Sequence, residues 1–488
     1  MKKLFILCIL ILLAVACGRG EDDITPDGLI QRTLTVRADI SFMPVMRQAR
    51  DMLNESWYER GYGYYLLIIP ERHEGVQWQW DYNNEVMQPP FDLNQREMRF
   101  RTELMAGMAP DLVFNDNFPL HQFASAGFLI DFYTLIDNCN RLSRDDFFIN
   151  VLRANEFRGG LYELPMMFNF HYIGINDNMP GSIIDSFAQR SYIKISDLIN
   201  LYFDFLDNSD EFFYMGDFLF RFSTPPMLNI MNYIDFNTNT FRFDYSFIES
   251  FTLTNRLNER LHFPAHINRA TFNVNTTEHM QSIGRTDMFY AGVLGLTDTD
   301  VFIDRGIPFS HFLPLANDYG SLVIDHGFGT VFFGSIDRPA NTTPLIWMTA
   351  AADTSLAWEF IYYLMTAFSE PKGSAAYIGN FMAPWGHTSF YIPVMRSLFE
   401  DNMRATFEYL ERYLRSNQRF RIENIDTVIQ NAIDRIYNYT NMPMVTRTPH
   451  LPIDLIFEPM HVFSLGIITE QEALSRAENA LTLWFMEQ

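Results

Sequence analysis

From Thr33 onward, short β-rich segments alternate with segments of helical period, and few architectures accept that order. Strand, helix and strand in succession is the unit of α/β proteins, whose sheets are mainly parallel and covered by helices. TLTVRAD (33–39) reads as the first strand. In MRQARDMLNESWYERG (46–61), Met46, Ala49, Leu53 and Trp57 lie near helical spacing and Gly61 closes the run; YYLLIIP (64–70) supplies a second strand. The pattern resumes with a helix in REMRFRTELMAG (96–107), a strand in DLVFN (111–115), and helical turns in 118–127 and LIDFYTLID. Between them, residues 71–92 keep no period, carry Trp78, Trp80 and Tyr82, and end in a Pro-Pro turn, so they read as an insertion.

The stretch GGLYELPMMFNFHYIGINDNMPG (159–181) changes character: a tight turn, a proline, an aromatic run, then a strand YIGIN. The chain is expected to cross here from one body to a second. GTVFFGS (329–335) reads as a return strand. After it, DTSLAWEFIYYLMTAF (353–368) sets Leu356, Ala357, Phe360, Ile361 and Leu364 on one apolar stripe behind a capping Asp353. Thr469 and Glu472 have capping-box spacing ahead of Ala473, Ala477, Ala480 and Trp484, so the chain ends in a docked helix. Trp358 and Trp484 fall on these stripes and are expected in the core. With 48% hydrophobic and 16% aromatic residues, the chain has material for two cores of ordinary size.

The amino-terminal end carries Lys2 and Lys3, then thirteen apolar residues from Leu4 to Ala16, then LAVAC ending at Cys17 and followed by Gly18. A membrane-spanning helix needs roughly 20 apolar residues, so this run is expected to be a removed signal peptide, residues 1–16. Small residues before the cysteine resemble the bacterial lipobox, which implies that Cys17 takes the lipid, palmitate included, and becomes the first residue. Residues 17–32 then form an acidic tether to the membrane. Cleavage lowers Lys plus Arg from 36 to 34 against 59 acids, a net charge of −25. Nucleic acid, which demands clustered cations, is excluded as a partner. Of three cysteines, Cys8 leaves and Cys17 is acylated, so Cys139 is alone and no disulfide framework exists. Cys139 is expected to be a packing residue.

Five segments, in order, resemble the family 1 extracellular solute-binding proteins, the group that includes the maltose-binding type. They are RTELMAGMAPDLVFND (101–116), FASAGFLIDFYTLID (123–137), GGLYELPMMFNFHYIGIN (159–176), SLAWEFIYYLM (355–365) and GIITEQEALSRAENAL (466–481), within a resemblance running from Thr33 to Gln488. It implies a two-lobed α/β fold of the type II periplasmic-binding-protein kind, with three interlobe crossovers and a ligand cleft between the lobes. Lobe 1 is expected in 33–168 and 335–391, lobe 2 in 172–330 and 394–488. It implies an extracytoplasmic protein, anchored by lipid to a bacterial cell membrane, that passes a solute, carbohydrate being favoured, to ABC permease subunits. A monomer without catalytic residues, cofactor or metal is expected.

In such folds the ligand meets residues at the carboxyl ends of strands. After the first strand these are Asp39, Ser41 and Phe42; after the third, Asn115, Asp116 and Asn117; at the first crossing, Phe168, Asn169 and Phe170; before the last crossing, Trp385. Carboxylates and amides pair with vicinal hydroxyls, and an aromatic face packs the C–H side of a pyranose. Competing structural roles stand beside these: Asp116 or Asn117 as a helix cap, Phe168 and Phe170 as core.

Two rival readings remain open. A lipid-anchored glycoside hydrolase needs a carboxylate pair, which so acidic a chain always offers, and neither an HExxH helix nor a G-x-S-x-G elbow occurs. His262 and His266 are spaced for one helical face, but Pro264 spoils the helix; Asp298, Asp300 and Asp304 lack the glycine and glutamate offsets of an EF-hand. An adhesin or scaffold using the same fold is the second rival.

Overall fold

The computed structural model describes residues 28–38, 43–72, 79–81, 86–88, 93–114, 120–175, 185–186, 188–208, 214–215, 229–230, 232–235, 238–243, 247–249, 251–253, 287–294, 312–325, 345–369, 392–404, 425–446, 454–464 and 466–486. The first unit is the expected one. β1 (Ile30–Ala38) and β2 (Tyr64–Arg72) pair in parallel from Ile30 opposite Tyr64 to Ala38 opposite Arg72, with α1 (Met43–Glu59) between them. β1 begins at Ile30 rather than Thr33, so the end of the expected tether is already sheet. Val45, Met46, Ala49, Leu53 and Trp57 form the buried stripe of α1. The helix stops because Gly61 takes φ 72°, letting the Tyr62 amide reach the Trp57 carbonyl at 2.8 Å and its own amide reach Tyr58 at 3.0 Å.

Within the insertion, β3 (Gln79–Asp81) and β4 (Val86–Gln88) pair antiparallel as a small ribbon. Next come α2 (Leu93–Met105), closed at Gly107 by the same pair of bonds, and β5 (Leu112–Phe114), parallel to β1 with Val36 opposite Leu112. Asp111 fixes that register: its carboxylate accepts from the Thr35 amide at 2.8 Å and the Thr35 hydroxyl at 2.7 Å. α3 (Leu120–Ser125), α4 (Phe132–Asp137), α5 (Ile149–Arg153) and β6 (Leu164–Pro165) complete this stretch.

β7 (Met167–Ile175) leaves the first sheet and becomes the spine of a second. After it follow β8 (Ile193–Lys194), α6 (Ile195–Asn208), β9 (Tyr214–Met215), β10 (Ile234–Asp235), β11 (Thr240–Phe241), β12 (Asp287–Leu294), β13 (Phe312–Ala316) and β14 (Leu322–Asp325). The chain then returns: β15 (Leu345–Met348) sits between β5 and β6, and α7 (Thr354–Ser369) packs on the first sheet side. Finally β16 (Ile392–Pro393), α8 (Ile425–Thr440), β17 (Met444–Thr446), α9 (Asp454–Ser464) and α10 (Glu470–Met486) belong with the second sheet or pack beside it.

The first sheet has the order β2-β1-β5-β15-β6; the second runs β17-β14-β13-β7-β12-β9, with β8 and β16 at its sides. The expectation of mainly parallel sheets holds for β1, β2 and β5 and fails for the second sheet, where β12, β13, β14 and β16 all run antiparallel to β7. Strands β13 and β14 bring the chain back toward the first sheet, so they run against the strand that left it. β15 is antiparallel to β5 for the same reason: it re-enters at the edge where β5 ends. The expected return strand, 329–335, lies outside the described residues.

α7 starts as its sequence predicts. Asp353 accepts from the Leu356 amide at 3.1 Å, and Leu356, Ala357, Phe360, Ile361 and Leu364 are buried. Asp353→Ala is expected to cost about 1 kcal/mol of unfolding free energy, the usual worth of an N-cap, read as a lower urea midpoint at unchanged slope. At α10, Thr469 accepts from the Glu472 amide at 3.2 Å, but the Glu472 carboxylate takes Arg476 at 2.7 Å instead of reaching back. The buried face of α10 is Ala473, Ala477 and Leu481; Ala480 stands one position round and is half-buried. Trp358 and Trp484 are partly buried and pack against cores. No helix among the described residues is long and apolar enough to cross a membrane.

Candidate functional site

Four strand ends converge on one edge of the first sheet. β1 stops at Ala38 and β5 at Phe114, adjacent in register; β6 stops at Pro165, opposite Leu345 where β15 begins. The segments that follow β1 and β5 therefore leave from this edge, and they carry Asp39, Ser41, Phe42, Asn115, Asp116 and Asn117. Those six residues, with Trp385 and Cys17, lie outside the described residues. So do Trp78, Tyr82, His262, His266, Asp298, Asp300 and Asp304. What the structure gives is the frame around the candidate site: two parallel strand ends, and helices α1 and α3 that begin a few residues beyond them.

Directly beyond the edge, the passages between the two sheets lie together on the start of β7. Met167 and Phe168 stand opposite Pro393 and Ile392; Asn169 and Phe170 stand opposite Asp325 and Ile324. The Val394 amide donates to the Met166 carbonyl at 3.1 Å, and the Phe148 amide to the Val394 carbonyl at 3.0 Å. Thus β7 outbound, β14 inbound and β16 at the last passage form one band joining the sheets. Ile392 and Pro393 fall between the expected lobe bounds, 391 and 394, whereas Ile324 and Asp325 were not singled out in the sequence as partners of β7. A signal existed in Leu164-Pro165 and Ile392-Pro393, since a residue before proline is pushed toward extended backbone.

Phe168 and Phe170 fit the structural role, core, that stood beside the ligand one. Each is fully buried in the core that spans the junction. Phe168 meets Phe148 edge-on at 5.7 Å and Phe170 at 5.6 Å, and Phe170 meets Tyr439 at 5.5 Å. Period two puts residues 168 and 170 on one face of the strand, and that face is interior. Position 169 lies between them and pairs with Asp325.

The charged groups behind the edge are committed to the scaffold. Arg37 binds Glu103 at 2.6 Å and lies over the Phe100 ring. Glu163, buried, accepts from the Trp347 indole at 2.8 Å, which ties β15 to the residue preceding β6. The Tyr133 hydroxyl, pushed well above the ordinary phenol value by burial and then by its bond to the Glu156 carboxylate, is held at 2.6 Å from it. At Cys139 burial opposes ionisation, but the Arg141 amide at 3.4 Å and the Trp358 indole hold the thiol below its usual value. Cys139 is partly buried against the first core. No group of three or more His, Cys, Asp or Glu with metal-binding geometry occurs among the described residues.

No protein-family model and no curated protein matches the chain. Solved structures do. The sugar-binding protein MalE from Xanthomonas citri superposes with a TM-score of 0.55 at 12% identity, over 94% of this chain and 100% of that one. An extracellular solute-binding protein family 1 structure from Alicyclobacillus acidocaldarius gives 0.52 at 12%, over 94% and 99%. UspC from M. tuberculosis gives 0.51 at 14%, over 92% and 99%. At these identities the shared property is the fold: a two-lobed α/β architecture of the type II periplasmic-binding-protein kind.

Proposed function

We propose that this chain is an extracytoplasmic solute-binding lipoprotein that closes its lobes on a sugar or oligosaccharide and delivers it to an ABC import permease. The observation that carries the reading is the junction: the passages between two sheets gathered on β7, next to the sheet edge from which the candidate segments depart. Such a band is narrow enough to bend while each sheet stays rigid. A ligand touching both lobes stabilises the closed arrangement by its differential affinity for it, and a permease that recognises that arrangement receives loaded protein.

Asp39, Ser41, Phe42, Asn115, Asp116, Asn117, Asn169 and Trp385 are the contacts assigned to the ligand. Acidic and amide groups suit paired hydroxyls; Phe42 and Trp385 offer flat apolar faces. The lipid on Cys17 and the tether through residue 29 hold a monomer at the membrane beside its permease. The comparison structures described as sugar-binding support the ligand class.

Thermal unfolding of protein beginning at Gly18, against mono- and oligosaccharides, peptides and polyamines, tests the reading. A saccharide at a hundredfold excess over Kd should stabilise the native state by about 2.7 kcal/mol and be recovered unchanged. A shift from a peptide alone would overturn the carbohydrate assignment, and cleavage of a glycoside would turn the protein into a hydrolase.

A further inference from the structure

Methionine is used in two separate ways in this chain. Met46, Met166, Met167, Met348, Met365 and Met403 are interior, each at most 2% exposed, and fill the core around the junction. Met98, Met105 and Met108 are 59%, 77% and 70% exposed. All three belong to α2 or to the turn that closes it, so three thioethers stand in solvent within eleven residues.

Nothing in the packing of α2 calls for them. The helix is docked by Phe100, which meets Phe123 edge-on at 5.4 Å, and by Leu104, both interior. Its charged side chains are tied as Arg101 to Glu97 at 2.6 Å, and as Glu103 to Arg37 at 2.6 Å and to Arg99 at 3.0 Å. Met98 and Met105 lie seven positions apart, hence on one face, and Met108 follows the turn. That turn gives the sharpest contrast. The Met108 amide bonds the Glu103 carbonyl at 2.8 Å and the Gly107 amide the Leu104 carbonyl at 3.1 Å, a pattern whose last residue commonly folds an apolar side chain back onto the helix. After α3 the same pair of bonds, at 3.0 and 3.1 Å, brings Phe128 onto the core beside Phe123. After α2 the corresponding pair is Met108 and Glu103, whose carboxylate is held by arginines, and the thioether stays in solvent.

A side chain that contributes no packing is left with its chemistry, a sulfur open to two-electron oxidation. We propose that Met98, Met105 and Met108 form a reversible oxidation site, which takes up oxidants of the hypohalous acid class as methionine sulfoxide without loss of fold. The thioether sulfur attacks the chlorine of hypochlorous acid and the O–Cl bond breaks; water then displaces chloride from sulfur, forming the S–O bond. Sulfur loses two electrons, chlorine leaves with them as chloride, and one proton is released. A reductase dithiol restores the thioether: the dithiol becomes a disulfide and the oxygen leaves as water. A sulfoxide is polar and disrupts a core, but these three side chains already stand in water. What the site protects rests on the extracytoplasmic reading. Outside the cell no glutathione pool meets the oxidant first, and a limiting dose is consumed by exposed thioethers instead of by groups the fold needs.

Limiting hypochlorous acid, added to protein beginning at Gly18 with no ligand or membrane present, tests the proposal by peptide mass mapping and thermal unfolding. Met98, Met105 and Met108 should each gain one oxygen, roughly tenfold ahead of Met46, Met348 and Met403, at an unchanged unfolding midpoint. A mixture of reductases for the two sulfoxide epimers should restore the mass. In the triple variant Met98→Leu, Met105→Leu, Met108→Leu, a surface change that leaves stability nearly as it was, the same dose should appear at other residues and lower the midpoint. Sulfoxide at the three positions with a fallen midpoint, or a dose that damages wild type and variant alike, would overturn the site. Since neither solute nor anchor enters the measurement, failure of the solute-binding reading leaves this outcome standing, and the two failures are told apart.

Discussion

Phe168→Ala is expected to lower the unfolding free energy by about 3–5 kcal/mol, the usual cost of truncating a fully buried aromatic ring. The ring is fully buried, touches Phe148 and Phe170, and sits on the strand where the passages between the sheets meet. Truncation removes apolar area from the interior and leaves a cavity that β7, held on both flanks, cannot collapse to fill. Denaturant unfolding reads the loss directly. Phe168→Leu separates core from ligand roles: a packing residue keeps most of its stability on a change that conserves much of the volume, while a sugar-stacking ring would lose binding with stability intact. Binding lost at unchanged stability in Phe168→Leu would restore the ligand role that burial argues against.

Cys17→Ser is expected to move essentially all of the mature protein from the membrane fraction to the soluble one. Each buried methylene of an acyl chain contributes about 0.8 kcal/mol to membrane affinity. Nothing else in the reading replaces it: the remaining body is strongly acidic, at 34 cations against 59 acids once residues 1–16 are gone, and is repelled by anionic headgroups. Fractionation of cells, with the mass of the amino-terminal peptide, measures the effect. Protein that stays with the membrane after an alkaline wash would place the anchor in an uncleaved leader instead.

Much of the first sheet was legible because its signals are local. The stripe of Met46, Ala49, Leu53 and Trp57 and the stop at Gly61 are fixed by neighbours within a few turns, as are Asp353 and the α7 stripe behind it. β15 was not legible. LIWM is four apolar residues, too few to show a period, and its identity as strand comes from β5 and β6, which lie some 180 to 230 residues earlier in the chain. The antiparallel second sheet escaped for the same reason, since direction is set by which end of the junction a strand enters. At Phe168, Asn169 and Phe170, alternation was plain, but alternation alone does not say which face is the interior. The segments after β1 and β5 were legible as candidates because strand ends are local; the partners of β7 across the junction, Ile324 and Asp325, were not.

The placement of β15 has a consequence for the time order of synthesis. The first sheet needs Trp347, whose indole satisfies buried Glu163, and Trp347 follows the whole of the second sheet's β7 to β14 in the chain. A polypeptide emerging amino end first cannot complete its amino-terminal lobe until more than two thirds of it has appeared. Contacts of such long sequence separation form slowly. In the exported form proposed above, the chain thereby stays threadable during the interval in which threading must begin, and the strand that delays its folding later locks the two lobes into one molecule.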